Sequence, residues 1–238
     1  QLVSRIARTI GAVLNLGWNW ESVCDFIQDN CEDENTSARM TAALIEACND
    51  LYMRQPGDDT TVATIKAVPR QVVSLFSGPP RLKQDDERVV VDFMSEEGLK
   101  VVCGGSSSNL VARVLGREVV TELSYDGDLP PIAHIKGIDL VTEGVLTIRE
   151  TNALVKKFLE NPADTETIRQ LDEHNGAAMI ARMLLERCTH LYMFIGKAIN
   201  PAHQNPNLPV DLSIKIRLLE ELAQTLRGAG KIVKIRYY

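Results

Sequence analysis

The stretch RQPGDDTTVATIKA, residues 54–67, sets two carboxylates, Asp58 and Asp59, side by side in a turn led by Pro56 and Gly57. Hard divalent cations such as Mg2+ and Mn2+ prefer oxygen ligands, so an acidic pair at a strand start is a candidate part of a metal site. The same spacing suits a plain turn, in which an aspartate bonds its own backbone. A two-metal hydrolytic centre needs several carboxylates converging from different strands, and the first 57 residues hold no second strand-end Asp cluster.

A second candidate lies in VVCGGSSSNLVARVLG. The pattern predicts a strand ending at Cys103, a turn made by Gly104, Gly105, Ser106, Ser107 and Ser108, and a helix starting at Asn109. A helix N-terminus offers unpaired N–H groups and a positive dipole end to phosphate or carboxylate, and serine hydroxyls add donors. An ordinary capped turn has the same composition. The spacing is neither GxGxxG nor GxxxxGK[ST], so it does not specify a nucleotide. Two more polar loops follow apolar strands: Thr142, Glu143 and Gly144 in IDLVTEGVLT, and Asn200, His203, Gln204 and Asn205 in GKAINPAHQNPNLPVDLS. If the strands are parallel, all three loops emerge at their carboxyl ends, where open α/β sheets bind ligands. His203 then becomes a ligand-orienting or proton-exchanging group and Glu143 a candidate base, each set against the plain reading of a solvated loop residue. No Cys/His cluster has zinc spacing and no serine sits in a nucleophile elbow; His134, His174 and His190 have no carboxylate partner that sequence identifies.

The elements that must position these groups fall into two patterns. WESVCDFIQDN and TSARMTAALIEACNDLYM carry apolar residues at helical spacing, and Thr36 or Ser37 can cap the second. Strands are expected at 61–68 and 71–77. Gly78, Pro79 and Pro80 followed by KQDDER then read as a connection or domain boundary. Beyond it, RVVVDFM, LKVVC, REVVTELSY, the apolar start of IDLVTEG, THLYMFI and KIVKIRYY read as strands with helices between them. That alternation implies crossover connections. The expected fold class is therefore α/β: a three-layer, mostly parallel, Rossmann-like sheet over residues 81–238, preceded by a helix-helix-strand-strand segment over residues 1–80. Trp18 and Trp20 are expected to pack, and the acidic stretches to be solvated.

Composition narrows the function classes. Across 238 residues the net charge is −6, and no run of Lys or Arg forms the footprint of a nucleic-acid or anionic-membrane partner. Five cysteines without a CxxC pair read as buried thiols of a reducing compartment, so the expected location is cytoplasmic. No apolar run reaches membrane-spanning length.

NLGWNWESVCDFI, TSARMTAALIEACNDLY and GDDTTVATIKA, taken in that order, resemble the end of the PPM-type metal-dependent serine/threonine phosphatases of the stage II sporulation protein E branch. The resemblance covers roughly residues 10–77. It implies that a Gly-Asp-Asp-x-Thr turn supplies a metal ligand, a role that falls on Asp58 with Asp59 as its neighbour. It further implies Mn2+ or Mg2+ in the complete phosphatase and a phosphoprotein substrate. The family's other metal carboxylates lie upstream of this segment, so the isolated chain is expected to be inactive and to hold no tightly bound cofactor. Asp126-Gly127 mimics the family's Asp-Gly pair but stands in the wrong order and domain. The remainder of the chain resembles the extra C-terminal region of some sporulation-type phosphatases, which implies a regulatory module; the small anionic ligand expected of it comes from the CGGSSSN turn. The competing expectation is a non-catalytic sensor or scaffold that binds such a ligand or a partner protein, and oligomerisation is left open.

Overall fold

The computed structural model describes residues 20–30, 36–55, 59–122, 131–162, 164–198 and 210–238. The chain divides into two compact units, Gln1–Pro69 with Glu160–Ile168, and Arg70–Leu159 with Arg169–Tyr238.

In the first unit, α1 (Trp20–Asn30) and α2 (Ser37–Leu51) form where the apolar spacing places them. Thr36 caps α2, its hydroxyl accepting from the Arg39 amide at 3.2 Å, which satisfies one of the donors a helix start leaves open. Val23, Ile27 and Leu44 are buried together, with Phe26, Met40 and Val62 packed around them. Trp20 is half exposed, against the expectation that it packs. Residues 61–68 are not a strand. Their alternation survives, with Val62 and Thr64 turned partly inward and Thr61, Ala63 and Ile65 outward, and the Thr41 hydroxyl donates to that of Thr64 at 2.8 Å. What they lack, among the described residues, is a neighbouring strand to take their backbone hydrogen bonds, and alternation without a ladder does not make a sheet.

Among the described residues the second unit is built on seven strands: β1 (Val72–Ser77), β2 (Leu99–Cys103), β3 (Val120–Thr121), β4 (Ala133–His134), β5 (Leu140–Thr142), β6 (His190–Ile195) and β7 (Ile232–Tyr237). Their order is β3-β4-β5-β2-β1-β6-β7. β5, β2, β1, β6 and β7 are mutually parallel, and the short β3 and β4 add an antiparallel edge. Numbered along the chain, the parallel strands run 3-2-1-4-5, the order of a doubly wound sheet, so the direction of winding reverses between β1 and β6. β1, which the sequence reading attaches to the first 80 residues, is the central strand of this sheet; all six of its residues are buried, as a strand covered on both faces requires.

RVVVDFM is a helix, not a strand. α3 (Asp86–Ser95) buries Val89, Val90 and Phe93 and leaves Val91 exposed, a one-sided pattern at helical spacing. Packing overrides the β preference of three valines: Phe93 lies 5.6 Å from both Phe76 and Phe194, centroid to centroid, and burying a ring of that size contributes about 1.5–3 kcal/mol. The charged KQDDER run accordingly opens α3 through a short 3-10 turn, and 78–88 is a connection within one unit. α4 (Gly105–Leu115) joins α3 over one face of the sheet, where Leu110, Val111, Phe76, Val102 and Phe194 share a core. The opposite face, with Val73, Leu75, Val101 and Met193 fully buried, is covered by α5 (Val145–Glu160), α7 (Gly176–Glu186) and α8 (Val210–Gly228). These three helices are tied together: Thr151 donates to the Ala177 carbonyl at 3.3 Å, Asn152 to that of Leu218 at 2.9 Å, and Lys156 pairs with Glu221. α6 (Thr165–Leu171) lies between α5 and α7 in sequence. No helix among the described residues is long and apolar enough to cross a membrane.

Candidate functional site

Because five of the strands are parallel, their exits share one edge of the sheet, and two of the three polar loops meet there. The Gly104 amide donates to the Thr142 carbonyl at 2.8 Å, and a Cβ added to Gly104 would lie 3.8 Å from the Gly144 Cα. Gly104 has φ of +108°, a conformation open to glycine alone at low cost, and it turns the chain from β2 directly into α4. The helix therefore begins at Gly105, four residues before the expected start, and Asn109 lies within its second turn with an exposed side chain.

The three serines divide into two roles. Ser107 is buried; its hydroxyl donates to the Cys103 carbonyl at 2.9 Å and accepts from the Gly78 amide at 2.7 Å. Ser108, also buried, donates to the Gly104 carbonyl at 3.0 Å, and its amide pairs with the same oxygen at 2.9 Å. Ser77 adds a hydroxyl to the Cys103 carbonyl at 3.2 Å. These hydroxyls hold the turn together and are not ligand donors, which corrects the expectation of three. Gly105 and Ser106 are exposed at the mouth of α4, no side chain caps the helix, and a Cβ placed on Gly105 would meet nothing within 4 Å.

On β5, the Thr142 hydroxyl bonds the Glu143 carbonyl at 3.0 Å and approaches the Cys103 sulfur at 3.6 Å. Glu143 is exposed, and its carboxylate accepts from the Gly144 amide at 3.3 Å, beside the start of α5. Burial pushes the Cys103 thiol up to about 12, against the opposing pull of the Thr142 hydrogen bond and the charge of Lys215. A thiol held there is protonated at neutral pH and is not a nucleophile.

Sequence reasoning missed the exits of β1 and β6. Gly78 and Gly196 meet backbone to backbone: a Cβ on Gly196 would collide with the carbonyl oxygens of Gly78 and Pro79. A Cβ on Gly78 would collide with the Lys215 ammonium and lie 2.7 Å from the Gly196 oxygen. Lys215, from the first half of α8, thus stands where the winding reverses. No local motif could have marked it, since a lysine in an amphipathic helix reads as a solvated charge until the strand order is known.

Asn200, His203, Gln204 and Asn205 lie outside the described residues, as do Asp58 and the Asp126-Gly127 pair. Asp59 is exposed in an irregular stretch. Among the described residues no group of three or more His, Cys, Asp or Glu side chains is placed to hold a metal ion, and Asp59 alone cannot supply the coordination a hard cation needs. Two histidines do acquire a carboxylate: His134 Nε2 lies 2.6 Å and His174 Nε2 3.5 Å from opposite oxygens of Glu122. His134, foremost, holds the Glu122 carboxyl below the usual glutamate range.

Comparison of the chain with protein-family models, with curated proteins and with solved structures returns no match.

Proposed function

We propose that this chain is the C-terminal portion of a stage II sporulation protein E-like, metal-dependent serine/threonine phosphatase, carrying an accessory α/β module that binds a small oxyanion and regulates the enzyme. The phosphatase part rests on the resemblance of residues 10–77, with Asp58 as the metal carboxylate, Mn2+ or Mg2+ as the metal and a phosphoprotein as substrate. The observation that supports the ligand part is the 2.8 Å bond from the Gly104 amide to the Thr142 carbonyl, which joins two glycine-bearing exits at the carboxyl edge of a doubly wound sheet. In front of them stands the uncapped first turn of α4, with open space over Gly105. Ser106, Gly104, Gly105 and Glu143 are its rim; Ser107 and Ser108 are its support.

Each part has its own test. Phosphate, pyrophosphate and sulfate are titrated in a thermal-shift assay against wild type and Gly105→Val. Gly105 is helical and unobstructed, so the substitution leaves the unliganded melting point near that of wild type and removes the anion-dependent rise. Equal stabilisation of both proteins would exclude the site. For the phosphatase part, Asp58→Asn in a polypeptide that carries the upstream carboxylates lowers Mn2+-dependent turnover of p-nitrophenyl phosphate by orders of magnitude, because the metal both activates water and stabilises charge on the phosphoryl group. Undiminished turnover would remove Asp58 from the centre and favour the scaffold reading.

A further inference from the structure

The two outer strands of the sheet differ in what they offer a neighbour. β3 is two residues long, and an edge that short gives another chain little to pair with. β7 has six residues without glycine or proline, and no strand among the described residues lies beyond it. Its hydrogen bonds fix which residues look outward. The Ile232 amide donates to the Thr189 carbonyl at 3.0 Å, the Tyr238 amide to that of Ile195 at 3.0 Å, and the Lys197 amide to the Tyr238 carbonyl at 2.9 Å. A parallel ladder repeats every second residue, so Ile232, Lys234, Arg236 and Tyr238 bond inward to β6, and Val233, Ile235 and Tyr237 turn their amides and carbonyls outward. Arg227 closes the first of these, its guanidinium donating to the Val233 carbonyl at 2.8 Å. Past it, the outward groups of Ile235 and Tyr237 meet no strand among the described residues.

The side chains along this edge select what can pair with it. Residues 231–238 hold three cations, Lys231, Lys234 and Arg236, and no carboxylate, in a chain whose net charge is −6. Lys234 and Arg236 are exposed on one face, their charges each 5.4 Å from a ring centroid of β6, Tyr192 and Phe194 respectively. Arg236 pairs with Glu96 at 2.9 Å, whereas Lys234 has no ion pair among the described residues. A second copy of this chain is a poor occupant. Twofold symmetry runs the two strands antiparallel, and a register centred on Lys234, Ile235 or Arg236 sets Lys234 opposite Lys234, Lys234 opposite Arg236, or Arg236 opposite Arg236, each a destabilising like-charge pair. We infer that β7 is a docking edge for an extended segment of a partner protein in which acidic and apolar residues alternate. Strand addition supplies the main-chain hydrogen bonds, and side-chain alternation supplies the selection. Carboxylates of the added strand fall beside Lys234 and Arg236 on one face, and its apolar residues beside Ile235 and Tyr237 on the other.

The probe is a fluorescent, acetylated hexapeptide of alternating glutamate and valine, with a lysine-valine counterpart, titrated by anisotropy against the 238-residue chain, Ile235→Pro and Lys234→Glu. Proline at 235 removes only an outward N–H, and Lys234 is exposed, so both variants keep melting points near that of wild type. The expected result is saturable binding of the glutamate peptide to wild type, weakened by added salt, with a loss of about tenfold or more in either variant. The lysine peptide gains affinity for Lys234→Glu over wild type. No binding of the glutamate peptide to wild type, equal affinity for the two peptides, or undiminished binding in Lys234→Glu overturns the proposal. Undiminished binding in a folded Ile235→Pro places the contact away from the edge and overturns it as well; if that variant unfolds, the charge reversal decides alone. Sedimentation velocity covers the remaining occupant: a wild-type dimer that Ile235→Pro splits would put a second copy on β7 in place of the acidic strand.

Discussion

Residues 61–68 and β1 are near neighbours in sequence, both rich in β-branched residues, and they reach opposite ends of the range of order in this protein. β1 has β2 on one side and β6 on the other, and Val73, Leu75 and Phe76 have no exposed surface. In residues 61–68 no backbone ladder forms among the described residues, and Ile65 is 78% exposed. The difference lies in what surrounds each segment: a strand is stabilised by its partners, and the intrinsic preference of valine, threonine and isoleucine only permits it. Among the described residues the first unit shows the same economy at larger scale: its core holds three buried apolar residues, whereas that of the α/β unit is extended and centred on phenylalanines.

The sharpest way to break that comparison is to truncate one side chain in each segment. Phe76→Ala destabilises the α/β unit by about 3–5 kcal/mol, the range for deleting a fully buried ring, while Ile65→Ala changes stability by about 0.5 kcal/mol or less. Urea denaturation followed by intrinsic fluorescence and circular dichroism measures both. A large cost at Ile65 would mean that residues 61–68 have a partner strand after all.

A smaller effect separates the two roles within the serine turn. Ser107→Ala removes the acceptor of the Gly78 amide and one of two hydroxyls on the Cys103 carbonyl, a cost of about 1–3 kcal/mol for a buried donor left unmet. Ser106→Ala, one residue away and exposed, leaves stability unchanged within error. Equal costs would show that the turn is held by something other than the Ser107 hydroxyl.

The smallest effect concerns acid stability at the antiparallel edge. Glu122 keeps its proton off to lower pH than an ordinary glutamate because of His134, so its contribution is complete above the usual carboxylate range and is lost as pH falls through the lowered value. Glu122→Gln removes that dependence and flattens the acid limb of a plot of melting temperature against pH. An unchanged limb would mean that the Glu122–His134 contact is too solvated to matter.

Much of the α/β unit was legible in the sequence because its signals are local. LKVVC, THLYMFI and KIVKIRYY are short apolar runs that end at glycine, a polar loop or a tyrosine pair, and the helices between them carry one-sided apolar spacing. RVVVDFM reads as a strand in sequence because the feature that makes it a helix is the fit of Phe93 between Phe76 and Phe194, two residues not adjacent to it in the chain. β3 falls within REVVTELSY, which reads as a strand, whereas β4, two residues long, is too short for any alternation to register. At the candidate site, the glycine turns after β2 and β5 were recognisable as such, and their adjacency follows from parallel pairing. The division of labour between Ser106 and Ser107 was not legible, because it depends on which hydroxyl faces the exit of β1.

One consequence of that last contact reaches beyond the turn itself. The Cys103 carbonyl receives the hydroxyls of both Ser77 and Ser107, and Ser107 in turn receives the Gly78 amide, so three backbone segments close into a cycle of hydrogen bonds beneath the mouth of α4. Such a cycle gives the turn a fixed floor: α4 cannot rotate at its start without opening more than one of these bonds at once. Gly105, Ser106 and Asn109 stand exposed above this base, so a change of residue at any of the three leaves the cycle intact.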